Sequence, residues 1–134
     1  MSTFTISSRL VEEMVAHARR EAPYEACGMI GGVDAEALGV YPTTNPDASQ
    51  LTYTIAPKEA FDVIRKMRQE GVDFIACYHS HPATEAYPSP TDRSKAGDAD
   101  LIYVIVSLRD PGRPEVRAFR IVADQVNEVE VLVT

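Results

Sequence analysis

Two histidines separated by one residue, His79 and His81, are the clearest candidates for chemistry in this 134-residue sequence. They follow a mostly apolar stretch, 72–78, that has the composition of a buried strand. In an extended strand, residues i and i+2 point to the same face, so both imidazoles would project to one side. Two imidazoles at that spacing suit a shared metal ion, but two ordinary polar residues at a strand end fit the pattern as well.

A second polar group, Ser89-Pro90-Thr91-Asp92, follows the histidines after a short loop. On its own it predicts the start of a helix, with Ser89 as the N-cap and an acid at the third helical position. A carboxylate in a first helical turn is also well fixed, so Asp92 could complete a set of two histidines and one aspartate. Three protein ligands leave the fourth tetrahedral position to water, as a catalytic zinc site requires.

Hydrolysis at such a metal needs a group that takes the proton of the water, and this group is usually a glutamate. The sequence HExxH is absent, so the glutamate must come from elsewhere in the chain. Glu25, just before a short predicted strand over 27–30, is a candidate by its position. Composition alone does not distinguish it from the other acidic residues.

Alternating helices and strands must hold these residues in place. Ser7 or Ser8 would cap a first helix that ends before Pro23, and a second helix would run from Pro57 to Gly71. Its inner face would carry Ala60, Phe61, Ile64 and Met67. Strands are predicted over 27–32, 37–41, 51–55, 72–78, 101–107, 116–122 and 126–133. The pattern indicates an α/β protein with one main sheet and about three helices.

Composition narrows the class of protein. A chain of this length, 45% hydrophobic and 25% charged, is an ordinary globular one, and we expect a single domain over residues 1–134. The net charge of −7 argues against binding to nucleic acid or to an anionic membrane surface. The longest clean apolar run, 101–106, is too short to span a bilayer.

The chain is expected to be cytoplasmic. Its first residues, 1–5, lack a basic segment followed by an apolar one, so we expect no secretory signal. The two cysteines, Cys27 and Cys77, are too few for a disulfide scaffold, and we interpret both as reduced core residues. Among the other polar residues, His17 is expected at the surface of the first helix or at its boundary with the core, and Ser80 is expected to form hydrogen bonds within the scaffold.

The order and spacing of five residues resemble the motif of the JAMM, or MPN-plus, metalloprotease family. That motif is a glutamate, a long gap, His-x-His, seven residues, a serine, two residues and an aspartate. Here these positions are Glu25, His79, His81, Ser89 and Asp92. The resemblance implies a single-domain JAMM/MPN fold of the cytidine deaminase-like type, with a mixed, mainly antiparallel sheet flanked by helices.

The same resemblance implies roles for these residues. His79, His81 and Asp92 would hold one Zn²⁺ per chain, with water as the fourth ligand. Glu25 would accept the proton of that water and pass it to the leaving amine. Ser89 would donate a hydrogen bond to the oxyanion, although an N-cap role would compete for its hydroxyl group.

Further stretches resemble the bacterial branch of the family that acts on ubiquitin-like sulfur-carrier proteins. These stretches are 14–20, 25–28, 83–89 and 109–111. The resemblance implies hydrolysis of the bond after the C-terminal diglycine of a small carrier, with release of cysteine for cysteine biosynthesis. Glu85 and Tyr87 are candidate substrate contacts, with a solvated loop as the alternative.

Two other functions are compatible with the sequence. Pro82 is nearer to the general form of the family than to this branch, which leaves room for an isopeptidase that removes ubiquitin-like modifiers from lysines. A metal-free MPN scaffold is an alternative of a different class. Such scaffolds usually lack one or more ligands, whereas all five motif positions are present here.

Overall fold

The computed structural model describes residues 3–134, and three helices alternate with seven strands along this part of the chain. The expectation of no signal segment rests partly on Met1 and Ser2, which lie outside the described residues. The elements are β1 (Thr3–Ile6), α1 (Ser8–Glu21), β2 (Cys27–Val33), β3 (Glu36–Thr43), α2 (Pro57–Gln69), β4 (Asp73–His81), α3 (Pro90–Lys95), β5 (Ile102–Ser107), β6 (Glu115–Val122) and β7 (Gln125–Val133).

The strands form one mixed sheet in the order β1-β3-β2-β4-β5-β6-β7, and pairing between β1 and β7 closes it into a barrel. The pairs β2–β3, β2–β4, β5–β6 and β6–β7 are antiparallel, whereas β4–β5, β1–β3 and β1–β7 are parallel. This architecture confirms the predicted α/β class with a mixed, mainly antiparallel sheet flanked by helices. Strand β4, which carries the two histidines, lies in the middle of the order.

Helix α1 begins and packs as its sequence predicts. The Ser7 hydroxyl oxygen accepts a hydrogen bond from the Leu10 amide at 3.2 Å, so Ser7 is the N-cap. The buried stripe of the helix, which includes Met14 and Ala18, joins the main hydrophobic cluster with residues of β2, β4 and β5. Burial of this stripe, rather than helix propensity alone, stabilises α1 against the sheet.

The expectation that His17 lies at the surface or at the boundary of the core is wrong. Its side chain is 4% exposed, and its Nδ1 lies 2.8 Å from the hydroxyl oxygen of Tyr78. A β-carbon at Gly28 would lie 2.3 Å from the Tyr78 ring, so the lack of a side chain at Gly28 is what lets this ring cross β2. Burial lowers the pKa of His17, which favours its neutral form in this pair.

The predicted strand over 51–55 is also wrong, because this segment forms no strand and pairs with none. Its backbone groups bond to a side chain instead: the Asn45 amide group donates to Thr52 O and accepts from Thr54 N. Helix α2 does run from Pro57 and stops near Gly71, where φ is +78°. Its inner face is narrower than expected, since Phe61 is 63% exposed.

Both cysteines are free thiols, as predicted. Cys27 is buried, whereas Cys77 is only half-buried. Ser80 has the expected scaffold role, because its hydroxyl oxygen accepts a hydrogen bond from Ala26 N at 2.8 Å and thereby ties β4 to the start of β2. No helix within residues 3–134 is long and apolar enough to cross a membrane.

Candidate active site

Three nitrogen and oxygen atoms converge where β4 ends and α3 begins. The Nε2 atoms of His79 and His81 are 3.1 Å apart, and Asp92 Oδ2 lies 3.1 Å from the first and 3.0 Å from the second. All three side chains are buried. The two histidines share a face of β4 because they are two residues apart, and the loop 82–89 returns the chain so that Asp92 faces them.

This donor set fits a zinc ion. A tetrahedral zinc with bonds of about 2.0–2.1 Å places its ligand atoms about 3.3 Å apart, close to the separations seen among His79, His81 and Asp92. Two imidazole nitrogens and one carboxylate oxygen are also ligands that zinc prefers. Three buried atoms with lone pairs directed at one point repel one another unless a proton or a cation lies between them.

The helix cap places Asp92 without competing with metal binding. The Ser89 hydroxyl oxygen accepts a hydrogen bond from the Asp92 amide at 3.0 Å, and the Ser89 amide donates to Asp92 Oδ2 at 2.9 Å, which completes a capping box. Capping uses a lone pair of the Ser89 oxygen and leaves its proton free. The N-cap and oxyanion roles of Ser89 are therefore compatible, whereas the sequence suggested competition for the hydroxyl group.

A backbone carbonyl sets the tautomer of His81. Its Nδ1 lies 2.7 Å from the carbonyl oxygen of Glu85, which can only accept a hydrogen bond. The proton of the neutral ring therefore lies on Nδ1, and Nε2 keeps a lone pair directed at Asp92. Sequence reasoning missed this contact because it uses the main chain of Glu85 and not its side chain.

The charges of the cluster also suit a cation. Burial opposes ionisation of Asp92, but the adjacent imidazoles of His79 and His81 and the hydrogen bond from the Ser89 amide outweigh burial and hold the pKa of its carboxyl group well below the usual range. Burial is the main cause that lowers the pKa of His79, so this imidazole is neutral near pH 7. A carboxylate beside a neutral imidazole is the form in which both groups bind zinc.

Glu25 lies beside this cluster in an unusual state. Its side chain is 3% exposed, and its Oε1 has no hydrogen-bond partner among the described residues. Burial raises the pKa of this carboxyl group to about 8. Its position follows from the sheet, because β2 begins two residues later and pairs Cys27 with His79.

A cleft of about 520 Å³ joins these groups to solvent. Glu25, His81 and Ser89 all contribute to its lining, together with the apolar residues Ala22, Pro23, Leu51, Pro82 and Ala83. The structure thus places the predicted base, one predicted ligand and the predicted oxyanion donor around one space. Neither Glu85 nor Tyr87 lines this cleft.

The predicted substrate contacts Glu85 and Tyr87 have other surroundings. The Glu85 side chain is exposed, and only its carbonyl group faces the site. The Tyr87 ring packs edge-on against Phe119, with a centroid distance of 5.5 Å, and the Arg117 guanidinium lies 5.9 Å from its centre. Cys77 borders a different cavity, which Tyr53 also lines.

The raised pKa of Glu25 predicts a pH effect on the metal-free protein. A carboxyl group with a pKa of about 8 when folded and about 4.5 when unfolded keeps its proton longer in the folded state. The free energy of unfolding should therefore fall as the pH rises from about 4.5 to 8, with Glu25 contributing at most about 4 kcal/mol of this fall.

Urea unfolding of the chelator-treated protein across this pH range checks the effect. Glu25→Gln cannot ionise at this position, so its stability should fall less steeply with pH than that of the wild type. Parallel pH profiles for the two proteins would contradict the burial of an ionisable Glu25.

Comparisons with known proteins agree with this geometry. Residues 7–122 match the family model described as prokaryotic homologs of the JAB domain. The chain is 44% identical over 128 residues to the CysO-cysteine peptidase of Mycobacterium tuberculosis, an alignment that covers 94% of this chain and 88% of that protein. It is 31% identical over 114 residues to the desampylase of Haloferax volcanii, with coverage of 79% and 81%.

The fold has a close counterpart among solved structures. A solution structure of a protein from Desulfitobacterium hafniense superposes with a TM-score of 0.91 at 38% identity, and the match covers 98% of this chain and 92% of that one. The closed sheet and the helices that position the candidate site are therefore shared across almost the whole chain.

Proposed function

The chain belongs to the family of prokaryotic JAB-domain proteins, and on that premise we propose that it is a zinc-dependent peptidase acting on a ubiquitin-like sulfur-carrier protein. It hydrolyses the bond after the C-terminal diglycine of the carrier and releases cysteine. The observation that carries the proposal is the convergence of His79, His81 and Asp92 beside the unpartnered, buried carboxyl group of Glu25. The three buried side chains would bind the metal ion, and the glutamate would act as the base that hydrolysis needs.

His79, His81 and Asp92 would hold the zinc, one ion per chain. When bound, zinc lowers the pKa of water towards 7 and polarises the scissile carbonyl group. Glu25 accepts the proton of the attacking water at Oε1 and passes it to the leaving amine. In the metal-free protein a pKa of about 8 leaves Glu25 mostly protonated near neutral pH, and a cation held by the adjacent cluster would lower this pKa and give the carboxylate that the base role requires.

Ser89 supports the same reaction through its free hydroxyl proton. Ser89→Ala should lower kcat about 10²- to 10³-fold, because the oxyanion loses a hydrogen-bond donor. The same change removes the α3 cap and should cost about 1 kcal/mol of stability. Ser89→Thr, which keeps the hydroxyl group, is the matched control, and kcat with melting temperature for both variants is the measurement. Equal activity of the two variants would exclude an oxyanion role.

The substrate assignment rests on similarity and on the shape of the cleft. The relative with 44% identity is named a CysO-cysteine peptidase, and two of the stretches that resemble the carrier-specific branch, 25–28 and 83–89, contribute residues to the lining of the cleft. Small and apolar residues, Ala22, Pro23 and Ala83, line the cleft, which suits a compact leaving group such as cysteine. We assign the reaction to one domain of residues 1–134 in the cytoplasm, where both free thiols remain reduced.

The test uses a diglycine-ended sulfur-carrier protein that bears one added C-terminal cysteine. Mass spectrometry follows the loss of one cysteine residue, with a chelator and Glu25→Gln as controls. Clean loss that both controls abolish supports the proposal. A zinc-loaded enzyme that instead cleaves only a lysine-linked conjugate would assign it to the isopeptidases, and a chain without zinc or cleavage would be a scaffold.

A further inference from the structure

The segment between β3 and α2, residues 44–56, holds both backbone groups of the proposed base. The Glu25 amide donates a hydrogen bond to Ser49 O at 2.8 Å. The Glu25 carbonyl group accepts one from Asn45 Nδ2 at 3.0 Å. The position of the Glu25 carboxyl group in the cleft therefore depends on the conformation of this segment.

The side chain of Asn45 also fixes the segment itself. Its Nδ2 donates to Thr52 O at 3.0 Å, and its Oδ1 accepts from the amides of Asp47 and Thr54 at 3.1 Å each. One carboxamide group thus fastens the segment to itself and to Glu25. An aspartate would keep the acceptor and lose both donated bonds.

Tyr53, next to Thr52, contacts the metal-ligand cluster through His79. Its ring stacks on the His79 imidazole with centroids 4.4 Å apart and an angle of 21° between the planes. A nearly parallel ring at this distance restricts rotation of the imidazole. The stack therefore helps to keep His79 Nε2 directed at His81 and Asp92.

Tyr53 is in turn tied to the helix that carries Asp92. The Lys95 ammonium group of α3 donates to Tyr53 O at 2.7 Å and lies 5.7 Å from the centre of the ring. A second cavity, of about 350 Å³, borders Tyr53, so the core does not enclose the ring on every side. The contacts with His79 and Lys95 are therefore important for fixing the position of the Tyr53 ring.

We propose that Asn45 and Tyr53 are positioning residues through which the 44–56 segment sets the base and a metal ligand relative to each other. Asn45 acts on Glu25, and Tyr53 acts on His79. The inference rests on the proposed function in one respect, because it takes Glu25 as the base and His79 as a zinc ligand. Each residue has a readout that needs no substrate.

The first test compares Tyr53→Leu with Tyr53→Phe. Competition with a chromophoric chelator should show zinc affinity about 10- to 100-fold lower in Tyr53→Leu, the usual cost of losing a ligand-orienting contact. Tyr53→Phe keeps the ring and should match the wild type. The visible spectrum of the cobalt-substituted protein should change only in Tyr53→Leu, and melting temperatures establish that both variants fold.

The second test compares Asn45→Ala with Asp47→Ala. Asp47 Oδ2 accepts hydrogen bonds from the hydroxyl groups of Thr52 and Thr54, so its loss loosens the same segment without removing a bond to Glu25. Asn45→Ala should lower kcat about 10- to 100-fold by misplacing the base, with KM unchanged. Amide hydrogen exchange at Glu25 should rise in Asn45→Ala and not in Asp47→Ala.

The outcomes distinguish a failure of the positioning roles of Asn45 and Tyr53 from a failure of the proposed peptidase function. Wild-type zinc affinity in Tyr53→Leu, or equal amide exchange at Glu25 in the Asn45 and Asp47 variants, would overturn the positioning roles. If the wild type binds zinc and the variants separate as expected but no conjugate is cleaved, the proposed function fails while the positioning roles stand. A wild type that binds no zinc would overturn both.

Discussion

Glu25→Gln is expected to abolish cleavage while leaving the bound zinc in place. Glutamine has nearly the same shape, but it cannot take a proton from water, and loss of a general base typically costs about 10²- to 10⁴-fold in rate. The zinc ion should remain bound because Glu25 is not one of the three residues whose ligand atoms converge. The measurement pairs kcat on the cysteine-bearing carrier with zinc content by elemental analysis.

Glu21→Gln is the matched control for this variant. It makes the same chemical change at an exposed position at the end of α1, close in sequence to Glu25, and should keep full activity. The assignment of Glu25 fails if Glu25→Gln retains wild-type kcat. It also needs revision if this variant loses its zinc, because the residue would then act as a ligand.

Asp92→Asn is expected to remove zinc and, with it, all activity. The substitution replaces the negative oxygen that lies 3.0–3.1 Å from both imidazoles with a neutral amide group. Loss of a ligand should weaken zinc binding by more than the roughly 10- to 100-fold that a ligand-orienting contact is worth. Isothermal titration of the metal-free protein with zinc measures the change.

Ser89→Ala controls for damage to the helix start in this experiment. It breaks the same capping box but removes no ligand, so it should bind zinc with an affinity near that of the wild type while showing the loss of kcat predicted above. An equal loss of zinc in the two variants would mean that the cap, and not the carboxylate, is what the metal needs.

The proposed metal-ligand set is predictable from the sequence because local rules place each of its members. Alternation along a strand puts His79 and His81 on one face, and the cap chemistry of Ser89 fixes Asp92 in the first turn of α3. The motif order then relates Glu25 to them. The fold class is predictable for a similar reason, since the alternating apolar stretches match most of the strands of the sheet.

What the sequence does not predict are the contacts made by loops and across the sheet. The 51–55 stretch has the composition of a strand, but the Asn45 side chain satisfies its backbone groups, a choice that depends on tertiary placement. His17 has no partner nearby in sequence, and its burial depends on Tyr78, 61 residues away. The raised pKa of Glu25 likewise comes from burial, which no local pattern encodes.

An anomalous-scattering map of zinc-loaded crystals, collected at the zinc absorption edge, tests whether His79, His81 and Asp92 hold a catalytic zinc ion. We expect one strong peak per chain, within bonding distance of His79 Nε2, His81 Nε2 and Asp92 Oδ2, with Glu25 facing it across the cleft. A peak bound by other residues, or none at saturating zinc, would contradict the assignment of these residues to a catalytic metal centre.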